Sequence, residues 1–408
     1  MNNRYIAIAI AALATSGCVW AQSADELLSQ GREAFMNYEF DKASRLYAQA
    51  KKKVRKSDEY YADKHETFNR QLMDARNFLE RVEQIAVIDS LTVPRSDFFK
   101  SYRLPQSAGS LGDKSALPPK ADGADVNYVF TNEGEDYKIW AQPDTTGYMH
   151  LVESIRMTDG NWGTPTPTGE NLSEESDAIF PFMMADGVTL YYATNNEDES
   201  IGGYDIMVAT RDAADGSFLQ PSNLGFPYNS PFDDYLLAID ELNGVGWWAT
   251  DRNQLDDELT IYVFVTNDLR KNYPVDEEDI IGFARIDDYI ATQPEDADYD
   301  ELLATIRAID PTVQKRKSEF DFPAPGGKIF HNYEDLPNMA SRAAMRKYVA
   351  AEADLADAKK ALSAMRRKYA DSRSQTLGEK IGQAEKLIDA KREDVKRLRN
   401  EVYKSLAR

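Results

Sequence analysis

The residues between Asp125 and Asn267 come close to repeating themselves, and this limits the architecture more than any other feature of the chain. Gly147-Tyr148, Asp159-Gly160-Asn161-Trp162 and Pro165 are matched 56 positions later by Gly203-Tyr204, Asp215-Gly216-Ser217-Phe218 and Pro221. The remainder of the unit recurs as well. Ile139-Trp140-Ala141, Tyr191-Tyr192-Ala193 and Trp247-Trp248-Ala249 each end a short β-favouring run that follows a glycine (Gly134, Gly187, Gly244). Asp-Gly and Asn-Gly pairs permit tight hairpins, so each unit reads as three or four short strands. A β unit recurring every 40 to 60 residues or so points to a propeller, whose blades bury their faces against one another. Trp140, Tyr192 and Trp248 then take equivalent slots, with one ring of each aromatic pair packing between blades and the other lying near a face. Three units are visible, against roughly four to eight in closed propellers. Either the Ile85–Val93 strand, Glu319-Phe320-Asp321-Phe322 and Lys328-Ile329-Phe330 complete the ring, or the ring is unusually small.

The flanking regions are helical or mixed. Residues 1–21 read as a secretory signal: Arg4, an apolar run from Ile6 to Thr15, and the small-x-small site Val19-Trp20-Ala21. The run falls short of the roughly 20 residues a membrane span needs, and no later stretch is apolar enough to span. A rival reading makes Thr15-Ser16-Gly17-Cys18 a lipoprotein box acylated at Cys18. Residues 22–83 are helical, opening with the capping-box spacing Ser23-Ala24-Asp25-Glu26. Leu27, Leu28, Gly31, Ala34 and Phe35 share one face. After the Asn37-Tyr38-Glu39 break come Ala43, Tyr47 and Ala50. Gly31, Ala43, Tyr47 and Ala50 fall at the offsets of a tetratricopeptide repeat, which such spacing resembles; an ordinary helical hairpin is the alternative. Residues 84–124 form a strand, closed by Pro94, and a Pro/Gly-rich linker from Ser101 to Ala124. Residues 268–338 mix helix and loop, with a helix over 298–309. In residues 339–408, Ala344, Tyr348, Ala351, Leu355, Ala358, Leu362, Met365 and Tyr369 alternate steps of four and three. Leu377, Ile381, Ala384, Ile388, Val395, Leu398 and Val402 resume the pattern, predicting two long helices in an antiparallel coiled-coil hairpin or joined to a second molecule.

One repeat carries a more specific likeness. The stretch SDAIFPFMMADGVTLYYATNNEDESIGGYDIMVATRD begins at Ser176. Phe180-Pro181, the Asp186-Gly187 turn, Tyr191-Tyr192 and Gly202-Gly203-Tyr204-Asp205-Ile206 are its recognisable parts. It resembles the WD40-like PD40 repeat of TolB-type propellers. The copy from Asp234 keeps Asn243-Gly244 and Trp247-Trp248 but has no Gly-Gly-Tyr-Asp. Export signal, tetratricopeptide repeat and PD40 repeats together are similar to a group of Gram-negative envelope proteins. Relatives there with an OmpA-like domain anchor secretion machinery to peptidoglycan; no OmpA-like segment is identifiable here, so that anchoring is not implied. The expected fold is multidomain α+β: a tetratricopeptide-like α-hairpin, a small or incomplete propeller and a coiled-coil hairpin.

Charge is divided along the chain. Residues 122–267 hold 27 acids and four bases, whereas 339–408 hold 18 bases and 10 acids. The overall net charge of −21 argues against nucleic-acid binding. The contrast either steers partners or serves solubility alone. Glu197-Asp198-Glu199 and Asp256-Asp257-Glu258 are solvated loops or calcium ligands, although they lack the spaced EF-hand pattern. Phosphate-loop, dinucleotide, zincin and nucleophile-elbow motifs are absent, and no cofactor or enzymatic activity is expected. The leading expectation is a non-catalytic envelope scaffold with protein partners, in the periplasm or at the outer membrane, with Tyr38, Trp140, Tyr192, Tyr204 and Trp248 as candidate interaction residues. The alternatives are a glycan- or peptidoglycan-binding module using Trp247 and its neighbours, and a hydrolase with a divergent propeller site.

Overall fold

A computed structural model describes residues 23–54, 58–121, 126–173, 175–252, 254, 257–267, 269–274, 276–309, 320, 322–323, 329–330, 332–372 and 374–406. The signal-like segment, with Cys18, lies outside them. The chain divides after Thr312 into two compact units. No helix among the described residues is long and apolar enough to cross a membrane.

The first unit opens with α1 (Ala24–Met36), α2 (Phe40–Lys53) and α3 (Glu59–Leu79). Ser23 and Glu26 form a reciprocal capping box that satisfies amides left free at the start of α1. Leu27, Leu28, Gly31, Ala34 and Phe35 are the buried face of that helix. After β1 (Ala86–Pro94) come twelve strands in three antiparallel sheets. Sheet 1 takes β2 (Ser110–Gly112), β3 (Val129–Thr131), β4 (Tyr137–Pro143), β5 (Met149–Ile155) and β6 (Thr166–Pro167) in sequence order. Sheet 2 takes β7 (Ala178–Met183), β8 (Thr189–Thr194), β9 (Asp205–Thr210) and β10 (Ser222–Asn223). Sheet 3 takes β11 (Asp234–Asp240), β12 (Val245–Thr250) and β13 (Glu258–Val265), with β1 as its outer strand.

The repetition in sequence is repetition in structure. Trp140, Tyr192 and Trp248 lie on β4, β8 and β12, the second strand of each repeated unit. The β7–β8 and β11–β12 ladders carry bulges at matching places, between Ile179 and Phe182 and between Tyr235 and Leu237. Successive sheets are also hydrogen-bonded in the same way. The Met149 amide of sheet 1 donates to Asp177 Oδ1 (2.8 Å), and the Tyr204 amide of sheet 2 donates to Asp233 Oδ1 (3.0 Å). Each aspartate stands just ahead of the next sheet's first strand, so its carboxylate serves an amide of the sheet before.

Aromatic rings fill the space where the first strands converge. Phe180 of sheet 2 packs on Tyr128 beside sheet 1 (5.5 Å) and on Tyr235 of sheet 3 (5.8 Å), and Phe98 contacts Phe180 at 5.1 Å. Phe98, Phe99 and Tyr102 belong to the segment joining β1 to sheet 1, and all three are buried. The stretch expected to be a linker from Ser101 to Ala124 is therefore packed over much of its described length. Its composition signals turns, which do form, but Tyr102, Leu104 and Ala108 pin them into the core. Farther along, α4 (Ile280–Arg285) packs against the helical layer, and Ile306 of α5 (Asp300–Arg307) joins the sheet core.

The second unit holds a short hairpin, β14 (Phe322–Pro323) with β15 (Ile329–Phe330), then α6 (Met339–Ser372) and α7 (Gln375–Leu406). The hairpin pairs only with itself and buries Phe322 and Phe330 against Tyr348, Leu398 and Val402. Among the described residues, the 319–322 and 328–330 segments expected to extend the repeated sheets pair with none of their strands. The helices are antiparallel: Arg366 meets Glu385, Lys391 meets Asp354, and Asn338 reaches Ser405 O. Leu355, Leu362 and Ile388 line the seam, but Tyr369, expected in it, is 39% exposed near the tip.

Candidate functional site

The five candidate interaction residues do not assemble into a site. Tyr38 sits in the α1–α2 turn with a left-handed backbone (φ 60°) and packs its ring on Phe40 and Phe226. Trp140 is enclosed by Val126, Val129 and Val152. Tyr192 belongs to the central sheet core, and Trp248 lies among Tyr228, Tyr262 and Phe264. These four are at most 2% exposed. Tyr204 is half-buried and donates from its hydroxyl to Asp177 Oδ2 (2.6 Å), which burial and that carboxylate together reflect in a raised pKa. Trp247 is buried as well, so neither ring of that pair lies near a face and neither offers a sugar-stacking platform. Strands β11 and β12 are covered on both sides, which alternation along the sequence cannot reveal.

The acidic loop 197–199 is also committed to protein contacts. Asp198 pairs with Arg70 of α3 at 2.8 Å, and Glu199 accepts from Gln220. Among the described residues no group of three His, Cys, Asp or Glu side chains is placed to hold a metal ion.

A groove of about 660 Å³ runs along the helical layer instead. Its making begins with Gly31 and Tyr47. A Cβ on Gly31 would stand 2.4 Å from the Tyr47 ring, so the glycine lets α1 and α2 close on that ring, which stacks on Phe68 of α3 at 5.4 Å. This interlock fixes α3, whose Tyr61, His65, Asn69 and Met73, spaced at four-residue steps, line one wall; Leu28 and Ala50 contribute from α1 and α2. Met73 is 65% exposed, an apolar side chain held in water.

The polar groups of the groove are mixed in sign. His65 Nε2 lies 3.2 Å from Tyr47 O, which requires the proton on that nitrogen, and Nδ1 accepts from Asn69 at 2.6 Å. Burial, with Lys51 nearby, lowers the His65 pKa and so favours the neutral ring. Burial raises Asp74 against the opposing pull of Arg70 and Arg81. Arg70 spends Nη1 on Asp198, while its Nε and Nη2 are buried without a hydrogen-bond partner. An apolar floor edged by donors and acceptors of both signs suits a polypeptide segment better than a small uniform ligand. Sequence reasoning marked Tyr47 and Ala50 but missed the α3 wall, whose four-residue spacing is its only signal.

No family profile, curated protein or solved structure matches this chain.

Proposed function

We propose that the protein is a non-catalytic scaffold of the cell envelope that binds other proteins, with the helical groove as its recognition surface. The observation carrying this reading is the groove itself: Met73 exposed in a mixed-charge trough whose walls are fixed by the Gly31–Tyr47–Phe68 interlock. On this reading the three sheets are blades of a small PD40-type propeller, tied together by β1 and plugged by Phe98, Phe180 and Tyr235. A filled centre favours a rigid platform over a catalytic channel. The helical layer is its tetratricopeptide-like module and α6–α7 a coiled-coil arm that sets a partner or second copy at a distance. The export signal read over residues 1–21 supports the envelope location.

A photo-crosslinking residue placed at Met73 in the full chain, in intact cells of the native host, tests this directly. The reading expects a discrete crosslinked protein from Met73 and none from the exposed Leu242 on the β11–β12 turn. No adduct, or equal adducts at both positions, would count against the groove as the recognition surface.

A further inference from the structure

A second cavity lies where sheets 1 and 2 face each other, away from the helical groove. It encloses about 390 Å³, within the range that admits a small ligand or a pair of side chains. Phe130 and Met183 are buried in its walls, and Tyr137, Ile155 and Met184 line it toward solvent. Ile155 is 54% exposed.

One cation spans the cavity, and its charge is already used. Arg211 of sheet 2 reaches Glu153 of sheet 1 with both terminal nitrogens (3.2 and 2.6 Å), meets the Tyr137 hydroxyl at 3.1 Å, and lies 4.4 Å over the Phe218 ring. This clamp fixes the gap between the sheets. Two donors of the wall, Arg211 Nε and Ser107 Oγ, are buried without an acceptor. Glu133 lines the cavity, and the exposed Glu135, Asp136 and Asp186 lie on the same turns as its lining residues Gly134, Ala185 and Gly187.

We propose that this cleft binds a peptide segment of a partner protein in which an apolar side chain is flanked by lysines or arginines. The apolar walls take the side chain. Acids at the rim attract the flanking cations, since residues 122–267 carry 27 acids to four bases.

Fluorescence anisotropy on the full chain tests this with three labelled pentapeptides: Lys-Lys-Phe-Lys-Lys, Lys-Lys-Gly-Lys-Lys and Glu-Glu-Phe-Glu-Glu. The first should bind at least tenfold more tightly than either of the others, and more weakly as salt is raised. The exposed pair Glu133→Lys/Glu135→Lys should weaken it at least tenfold with an unchanged melting temperature, and Ile155→Asp should weaken it through the apolar wall. Equal binding of the glycine peptide would reduce the effect to bulk charge and overturn the proposal. So would no binding of the phenylalanine peptide, or an affinity unmoved by both variants.

Discussion

Arg252 and Asp234 face each other at 2.7 Å with side chains 1% and 0% exposed. Removing two charges from water costs several kcal/mol per ion, which the pair offsets only with further hydrogen bonds. Arg252 gives them to Tyr228 O and the Thr250 hydroxyl, and Asp234 accepts from Ser230. Burial pushes the Asp234 carboxyl up to about 6, with Arg252 the main force against it. Arg252→Ala would strand that carboxyl, and we expect a loss of about 3–5 kcal/mol, read as a lowered thermal midpoint. Asp205 is a different case. It accepts from the Ile201 and Gly202 amides and from Asn223, yet burial, with Asp234 nearby, raises its pKa to about 8. The folded state then keeps a proton that the unfolded state loses, so this group's contribution is full below about pH 3.9 and declines as pH rises through 8. The stability advantage of the wild type over Asp205→Asn should therefore narrow between pH 4 and pH 8; a constant or widening gap in urea titrations would contradict the assignment. The sequence offers a partial view of this cluster. Gly202-Gly203 stands out in the Gly-Gly-Tyr-Asp-Ile run, and the structure gives the reason, since a Cβ at 202 would run into Phe232 O and one at 203 into Asp233 Oδ1. The 18-residue separation of Asp234 from Arg252 carries no such mark.

Among the elements, α1 and α2 depend on one close approach. Gly31→Leu would drive a side chain into the Tyr47 ring, and overpacking of this kind costs about 1–3 kcal/mol. It should also open the groove wall, so that a fluorophore attached at Met73 gains mobility while the helicity of α6 and α7 is retained. A variant with unchanged stability and mobility would mean that the interlock does not hold the groove. Leu362→Asp should have the converse effect, costing seam packing between α6 and α7 and lowering the circular dichroism at 222 nm without moving that fluorophore. Helical elements are the most readable from sequence because their signals are local: Ser23 and Glu26 are three residues apart, and Leu355, Leu362 and Ile388 fall on periodic seams. Strands gave up their existence and register of repeat, through the Trp140, Tyr192 and Trp248 slots, but not which faces are covered. Turn-rich composition concealed the burial of Tyr102, Leu104 and Ala108, because glycine and proline report backbone conformation and not whether the loop is buried.

At the scale of the whole molecule, the first unit is held together by contacts between residues far apart in sequence. β1 pairs along its length with β13, from Ala86 opposite Val265 to Pro94 opposite Glu258, with one bulge. The chain thus leaves the outer edge of sheet 3 and passes through the Phe98 segment into sheet 1, tying the last repeat to the first. Nothing local encodes that pairing, and the same is true of the Arg211–Glu153 clamp across 58 positions. Both candidate binding surfaces depend on it: the helical groove is carried on loops of sheets 2 and 3 through Ile201 and Phe226, and the cleft needs sheets 1 and 2 at a fixed gap. The most direct measurement is a disulfide between β1 and β13. Thr92 and Thr260 are register partners, and opposed residues on antiparallel strands place their Cβ atoms about 4.5–5.5 Å apart, near disulfide reach. The chain's one cysteine, Cys18, does not confuse the result once replaced by serine. Oxidation of the Thr92→Cys/Thr260→Cys protein should give an intramolecular crosslink between these positions by peptide mass mapping, together with a higher thermal midpoint. Free thiols at both positions, or crosslinks only between molecules, would contradict the closure of sheet 3 by β1.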